Sequence, residues 1–335
     1  MNNILVAFIS SAIPMAVPLL YGSTGEIVTE KSGHLNLGIP GIMYVGAISG
    51  IIGAFMYELA CGTKEAMVPA LAILIPLLCS VAGSVLIGLI YSFLTVTLRA
   101  NQNVTGLALT TFGIGIGNFF GASLIKLVDS DVSSIALRNT SSFFRVKLPF
   151  ADDLGWFGEI FLSHDFLTYA SVAIALLVAF VLNRTRTGLN LRAVGENPAT
   201  ADAAGINVTR YKYLATCIGS AIAGLGGLQY VMVFTSGGWS NNAFGDRGWM
   251  AIALVIFGLW RPTMAILGSF FFGLLLNLEP YSHHFFKLGS DANQALFAML
   301  PYAATLIVLI VTSMRKKREH QPPEALGLSY FREER

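Results

Sequence analysis

The chain has 335 residues, 54% hydrophobic and 12% charged, with a formal net charge of +2 and a mean hydropathy of +0.66. Charged residues make up about a quarter of an ordinary soluble domain, so this composition excludes a soluble globular fold. The near-neutral balance also offers no basic surface for nucleic acid.

About 20 consecutive apolar residues cross the hydrocarbon core of a bilayer as a helix. In chain order, such stretches fall at about 4–23, 37–57, 68–98, 104–126, 166–183, 212–236, 248–260, 262–278 and 293–314. The third is long enough for two segments or one tilted helix, and the seventh is short. The expectation is an all-α, polytopic integral membrane protein with about eight to ten transmembrane helices. The first stretch leads directly into more membrane and has no small-residue cleavage site, so it reads as a retained helix rather than a signal peptide.

The charges orient these spans. Lys and Arg concentrate in MRKKREH after the last span and in the 184–212 segment, which places both in the cytoplasm. Alternation then puts 26–36, 99–103 and 260–262 inside and the long 127–165 loop outside. The chain divides into a membrane-spanning domain over 1–314 and a charged cytoplasmic tail over 315–335, whose mixed charges read as a solvated end. Nearly every ionisable residue falls in a loop or at a helix end, with none expected at mid-membrane depth. An intramembrane proton relay or voltage sensor is therefore not supported.

No catalytic or nucleotide-binding constellation is found. A GxxxxGK[ST] loop is absent. GIGIGNFFG (113–121) lies within a span with no preceding strand, and Gly113, Gly117 and Gly121 instead bare one helix face for close packing. Gly219, Ala223 and Gly227 repeat the pattern, as do Gly46 and Gly50. Cys61, Cys79 and Cys217 are scattered, and the two within spans read as small buried hydrophobes. His283 and His284, with Glu279 and Asp291, read as an outer loop rather than a metal site, because adjacent histidines do not converge on one helical face. No catalytic and no metal-ligating residue is assigned.

The polar interruption LRAVGENPATADAAGINVTR (191–210) carries the strongest local signal. Asn197 is an N-cap, Pro198 suits the first helical position and Gly205 suits the residue just past the end. Alanines in between favour helix. The result is a helix of about two turns, too short to be stable alone, held between two spans. It reads either as an ordered loop or as a docking element for a cytoplasmic partner.

LRAVGENPATADAAGINVTRYKYLATCIGSAIAGLGG resembles the cytoplasmic coupling segment of bacterial ATP-binding-cassette (ABC) importer permeases of the nucleoside and simple-sugar class. KSGHLNLGIPGIMYVGA (31–47), ANQNVTGLALTTFG (100–113), RGWMAIALVIFGLWRPTMAILGSFFFGLL (247–275) and LPYAATLIVLIV (300–311) resemble further segments of that family, in the expected order. The resemblance implies a permease subunit in the cell (inner or plasma) membrane, with its C-terminus cytoplasmic. It also implies a second permease subunit, a paralogue in the nucleoside members, and an extracytoplasmic solute-binding lipoprotein. A separate subunit with two nucleotide-binding domains would consume ATP and Mg, so this chain itself would be no enzyme and bind no cofactor. By the same resemblance, Glu196, Asn197, Pro198, Ala199, Thr200, Ala201, Asp202, Ala203, Ala204 and Gly205 are the coupling residues, with the coupling helix over 198–204.

Discontinuous helices line such pathways, because unwound backbone is tolerated only where it faces a cavity. The Gly33–Gly41 stretch, with Asn36, Gly38, Pro40 and Gly41, is the candidate break. Asn101, Gln102, Asn103 and Asn118 add uncharged hydrogen-bonding groups that suit a neutral solute such as a nucleoside or sugar; an Asn at a helix end also serves as a cap. The chain departs from the family pattern at Pro40, where an acidic residue is expected, and in a tail longer than usual. A branched-chain amino-acid ABC permease and a self-sufficient channel or facilitator are the alternative functions.

Overall fold

A computed structural model describes residues 2–128, 134–147, 149, 151–242, 244–286, 291–315 and 321–331. Among the described residues, regular secondary structure is helical apart from one two-residue strand pair. Its helices are α1 (Asn2–Glu30), α2 (Ile39–Cys61), α3 (Pro69–Ser92), α4 (Gln102–Val128), α5 (Arg138–Phe144), α6 (Gly155–Phe161), α7 (Phe166–Arg184), α8 (Arg186–Glu196), α9 (Pro198–Ala203), α10 (Val208–Gln229), α11 (Arg247–Phe257), α12 (Pro262–Phe286) and α13 (Asp291–Arg315). The strands β1 (Ile135–Ala136) and β2 (Gly238–Trp239) pair antiparallel, Ile135 opposite Trp239.

Among the described residues, seven helices are long and apolar enough to cross a membrane, and Arg247–Phe257 and Met299–Val311 are shorter apolar helices. These match the nine apolar stretches. The third stretch is one helix, α3, prolonged by a π-helical turn at Phe93–Thr97. Proline is tolerated inside α1 (Pro14, Pro18), α3 (Pro76) and α13 (Pro301), because neighbouring helices and side chains satisfy the freed carbonyls.

The bundle centres on α10, which packs against α1, α2 and α3. Glycine makes this possible. A Cβ on Gly25 would stand 2.2 Å from the Gly219 carbonyl oxygen, and one on Gly227 would stand 2.0 Å from that of Met43. With lipid tails as apolar as leucine, such close backbone approach rather than hydrophobicity drives helix association. Gly113 lies against the Gly41 backbone, Gly117 against the Tyr44 ring and Gly121 against the Trp239 indole, so all three serve packing.

Four sequence expectations change here. The first span does not stop near residue 23: α1 continues to Glu30, with Glu26, Glu30, His34 and Asn36 all buried. Nor is 127–165 simple loop, since it holds β1, α5 and α6. Residues 279–286 continue α12 as helix rather than forming an outer loop. The fourth change is in the tail. Residues 321–331 fold back on the bundle, with Ala325 buried at 6% exposure, whereas 316–320 and 332–335 lie outside the described residues.

Candidate functional site

Two places in the bundle hold most of the polar residues that the sequence singles out. The first is the short helix α9. Asn197, extended at φ −148°, accepts the Thr200 N–H on its side chain at 2.9 Å, and Pro198 follows at the first helical position. At the other end Gly205 N–H donates to Asp202 and Ile206 N–H to Ala201, both at 3.0 Å. That bond pair is a Schellman closure, which needs a left-handed residue, and Gly205 has φ +83°. Asn207 then caps α10 by accepting from Arg210 N–H at 2.9 Å.

Ala201 is buried, clustering with Val194 and Val208 and so seating α9 on α8 and α10. Thr200, Ala203, Ala204 and Gly205 face out, as do Glu196, the last residue of α8, and Asn197; Ala199 and Asp202 are half-buried. The sequence foresaw α9 and its caps to within one residue, but not α8, which precedes it. Beside α9 opens a cavity of about 720 Å³, lined in part by His34, Thr95, Arg99, Asp202, Gly205 and Tyr330.

The break between α1 and α2 lies close by. Asn36 N–H donates to Glu26 Oε1 at 3.0 Å, and Asn36 Oδ1 accepts Gly38 N–H at 3.0 Å, while its Nδ2 is buried with no hydrogen-bond partner. Gly38 is the N-cap of α2 and Pro40 occupies its first turn. Gly41 fits against the α4 backbone, where a Cβ would meet the Leu109 oxygen at 2.5 Å. On the α1 side, Glu30 accepts the indole N–H of Trp260.

Of the residues on α4, Asn101 is exposed and caps the helix by accepting Val104 N–H at 3.1 Å, and Asn103 is exposed. Gln102 is buried with both ends of its amide bonded, Oε1 accepting Leu35 N–H at 2.8 Å and Nε2 donating to the Leu328 oxygen at 3.2 Å. Asn118 belongs elsewhere. At 1.5 Å per residue it lies about 24 Å along α4 from Gln102.

The second place surrounds Asn118. The Tyr44 hydroxyl donates to Asn118 Oδ1 at 2.6 Å and accepts Asn242 N–H at 2.9 Å; Asn118 Nδ2 donates to Asn242 Oδ1 at 2.9 Å. Aromatic rings wall this triad. Tyr44 lies edge-on to Trp239 at 5.1 Å and to Phe244 at 6.2 Å, and Tyr230 meets Phe244 at 5.0 Å. The Arg247 guanidinium sits 4.4 Å over the Tyr230 ring and donates to the Phe244 oxygen at 3.0 Å.

This triad lies deep. Tyr44 is about 26 Å along α2 from Cys61, and Asn118 about 15 Å along α4 from Val128. The 11-residue α11 is only about 16 Å long, half the hydrocarbon thickness of about 30 Å. Three residues beyond its far end, Trp260 bonds Glu30, so its near end at Arg247 lies inside the bundle. Residues 240–242 and 244–246 therefore lead back from β2 toward Arg247. Irregular backbone at that depth is tolerated only when buried in protein or lining a watery cavity. Asn242 is exposed and Asn118 partly so.

Arg247, at the start of α11, is half-buried, and Glu26, in the last turn of α1, is fully buried. Tyr44, Trp239 and Asn242 were missed. The signal that could have found them was the shortness of the seventh apolar stretch, which obliges the preceding loop to re-enter. The side chains of His283, His284 and Asp291 lie outside the described residues, and among the described residues no His, Cys, Asp or Glu cluster could hold a metal.

Comparison with known proteins adds to this geometry. Residues 8–309 match the family described as branched-chain amino acid transport system / permease component. A Haloferax volcanii permease protein provisionally named for glucose ABC transport is 30% identical, with 97% of each chain covered. The guanosine ABC transporter permease protein NupQ of Bacillus subtilis is 28% identical, with 99% of each covered. The nucleoside ABC transporter permease protein NupC of Lactococcus lactis is 30% identical, with 98% of each covered.

Proposed function

The chain belongs to this family of ABC transporter permease components, and from that premise we propose that it forms part of an import pathway for nucleosides. The triad of Tyr44, Asn118 and Asn242 carries this reading. Its amides, exposed at Asn242 and partly so at Asn118, lie beside the spans α2 and α4, where facing lipid would leave hydrogen-bonding groups unsatisfied at several kcal/mol each. They border a polar passage instead, completed by a second permease subunit, a paralogue of this chain. Amide donors and acceptors beside aromatic faces suit a flat heterocycle joined to a sugar. Two of the three relatives are named for such solutes.

ATP hydrolysis belongs to a separate subunit, which docks on Glu196–Gly205 from the cytoplasm and brings its own Mg. A solute-binding lipoprotein delivers substrate from the opposite side. A simple sugar is the second reading, favoured by the relative named for glucose.

The test is uptake into vesicles holding the reconstituted complex. Tritiated guanosine or adenosine enters only with ATP and the ATPase subunit, and excess unlabelled glucose or leucine does not compete. The purified chain alone binds no ATP. Competition by glucose moves the assignment to sugars, and nucleotide-independent uptake by the chain alone sinks the ABC-driven reading in favour of a facilitator.

A further inference from the structure

We propose that residues 325–331 form a brace that carries movement of α9 into the break between α1 and α2. The proposal rests on the reading of α9 as the ATPase-docking helix. One short segment, ALGLSYF, bonds in turn to both sides of that linkage. Ala325 N–H donates to the Gly195 oxygen at 3.0 Å, at the end of α8 just before α9. Two residues on, Gly327 N–H donates to the Gly33 oxygen at 3.2 Å, inside the break. The Leu328 oxygen accepts from Gln102 Nε2 at 3.2 Å, and the other end of that amide holds Leu35 N–H at 2.8 Å. Tyr330 then returns to α9, its hydroxyl donating to Asp202 Oδ2 at 2.8 Å, and the Phe331 ring lies 4.8 Å from the Arg99 guanidinium.

The geometry is tight where these pieces meet. A Cβ on Gly195 would stand 2.3 Å from the Lys31 oxygen, so the end of α8 and the break already touch through bare backbone. Gly33 at φ +82° and Gly327 at φ +80° adopt turns that L side chains disfavour. Leu326 packs with the α1, α7 and α10 cluster, and Tyr330 with the Val194, Ala201 and Val208 cluster that seats α9. The brace thus grips α9 through Tyr330 and the break through Gly327 and Leu328. Coupling between sites travels through such contiguous bonded networks when both ends bias the same element. A push on α9 moves Asp202, Tyr330 and the strand of tail behind it, and so pulls on Gly33 and Leu35.

The experiment follows amide hydrogen exchange in the membrane complex assembled with its ATPase subunit, with and without ATP and vanadate. In the wild type, exchange changes both at 198–205 and at 33–38. In a chain ending at Pro323, and in Tyr330→Phe, the response at 198–205 persists while that at 33–38 falls several-fold. Should the truncated chain fail to assemble, Tyr330→Phe alone decides. An undiminished response at 33–38 in Tyr330→Phe and in any assembled truncation overturns the brace and leaves the docking reading intact. No response at 198–205 in the wild type overturns the docking reading, and the brace with it.

Discussion

Gly46 and Gly224 meet backbone to backbone across α2 and α10: a Cβ on Gly46 would lie 2.6 Å from the Gly224 Cα. No rotamer relieves that clash, because the neighbour is main chain. Gly46→Leu therefore separates two central helices and abolishes folded protein in the membrane. Gly115, whose Cβ would meet nothing within 4 Å, is the matched control on α4. Detergent-solubilised yield and monodispersity measure the difference, and equal yields for Gly46→Leu and Gly115→Leu would refute the packing account.

The α9 caps predict a graded series. Asn197→Ala removes the 2.9 Å bond to Thr200 N–H and costs about 1 kcal/mol of local helix stability. Gly205 has open space around it but φ +83°, so a substitution is penalised by conformation alone, by about 1–2 kcal/mol, and more for a β-branched side chain. ATPase stimulation and uptake in the assembled complex should fall in Asn197→Ala and further in Gly205→Val, at normal membrane expression. Wild-type transport by Gly205→Val would reduce α9 to an ordered loop.

At the deep triad, Asn118→Leu removes the partner of both Tyr44 and Asn242. Losing a net hydrogen bond of about 1 kcal/mol weakens nucleoside uptake by roughly five-fold or more, while basal ATPase activity of the complex is unchanged. Tyr44→Phe gives a milder defect of the same kind. A parallel fall in ATPase activity would mark the triad as structural and not part of the passage.

Sidedness is tested by labelling. A Cys placed at Asp152 reacts with an impermeant maleimide from outside intact cells, and one at Thr200, exposed on α9, reacts only after permeabilisation. The reverse pattern inverts the topology.

His34 predicts a pH dependence. It is buried at the break, 3.3 Å from the Thr216 hydroxyl and edge-on to Tyr91. Burial, and secondarily the charge of Lys212, push its pKa well below the usual histidine range. The unfolded chain then binds the proton more readily than the folded one. Stability from this group is complete above the unfolded pKa of about 6.5 and is lost as pH falls below it, at up to about 1.4 kcal/mol per pH unit. The melting temperature in detergent drops between about pH 6.5 and 5, and His34→Gln flattens that drop. Identical pH profiles for the two proteins would exclude His34 as its source.

How far the site was legible depended on the range of the interactions. Asn197, Pro198 and Gly205 announce α9 because caps act within one turn, on the residue's own backbone. The glycine repeats at 113, 117 and 121 announce a packed face for the same local reason, though only the fold says that Gly41, Tyr44 and Trp239 fill it. Asn118 was singled out from its side chain alone, whereas its partners Tyr44 and Asn242 stand 74 and 124 residues away. No local pattern pairs them.

The sequence by itself determined the membrane spans, the capped helix between them and the kinship of the chain, because twenty apolar residues, a cap and a motif are local and additive along the chain. The tertiary structure alone decided depth and company. It led the chain after β2 back toward Arg247 and buried Glu26 against Asn36. It also laid residues 325–331 across Gly195, Gly33 and Asp202. A segment with polar groups is stable in either water or protein, depending on whether distant backbone offers it hydrogen bonds, and that offer exists only once the helices have packed.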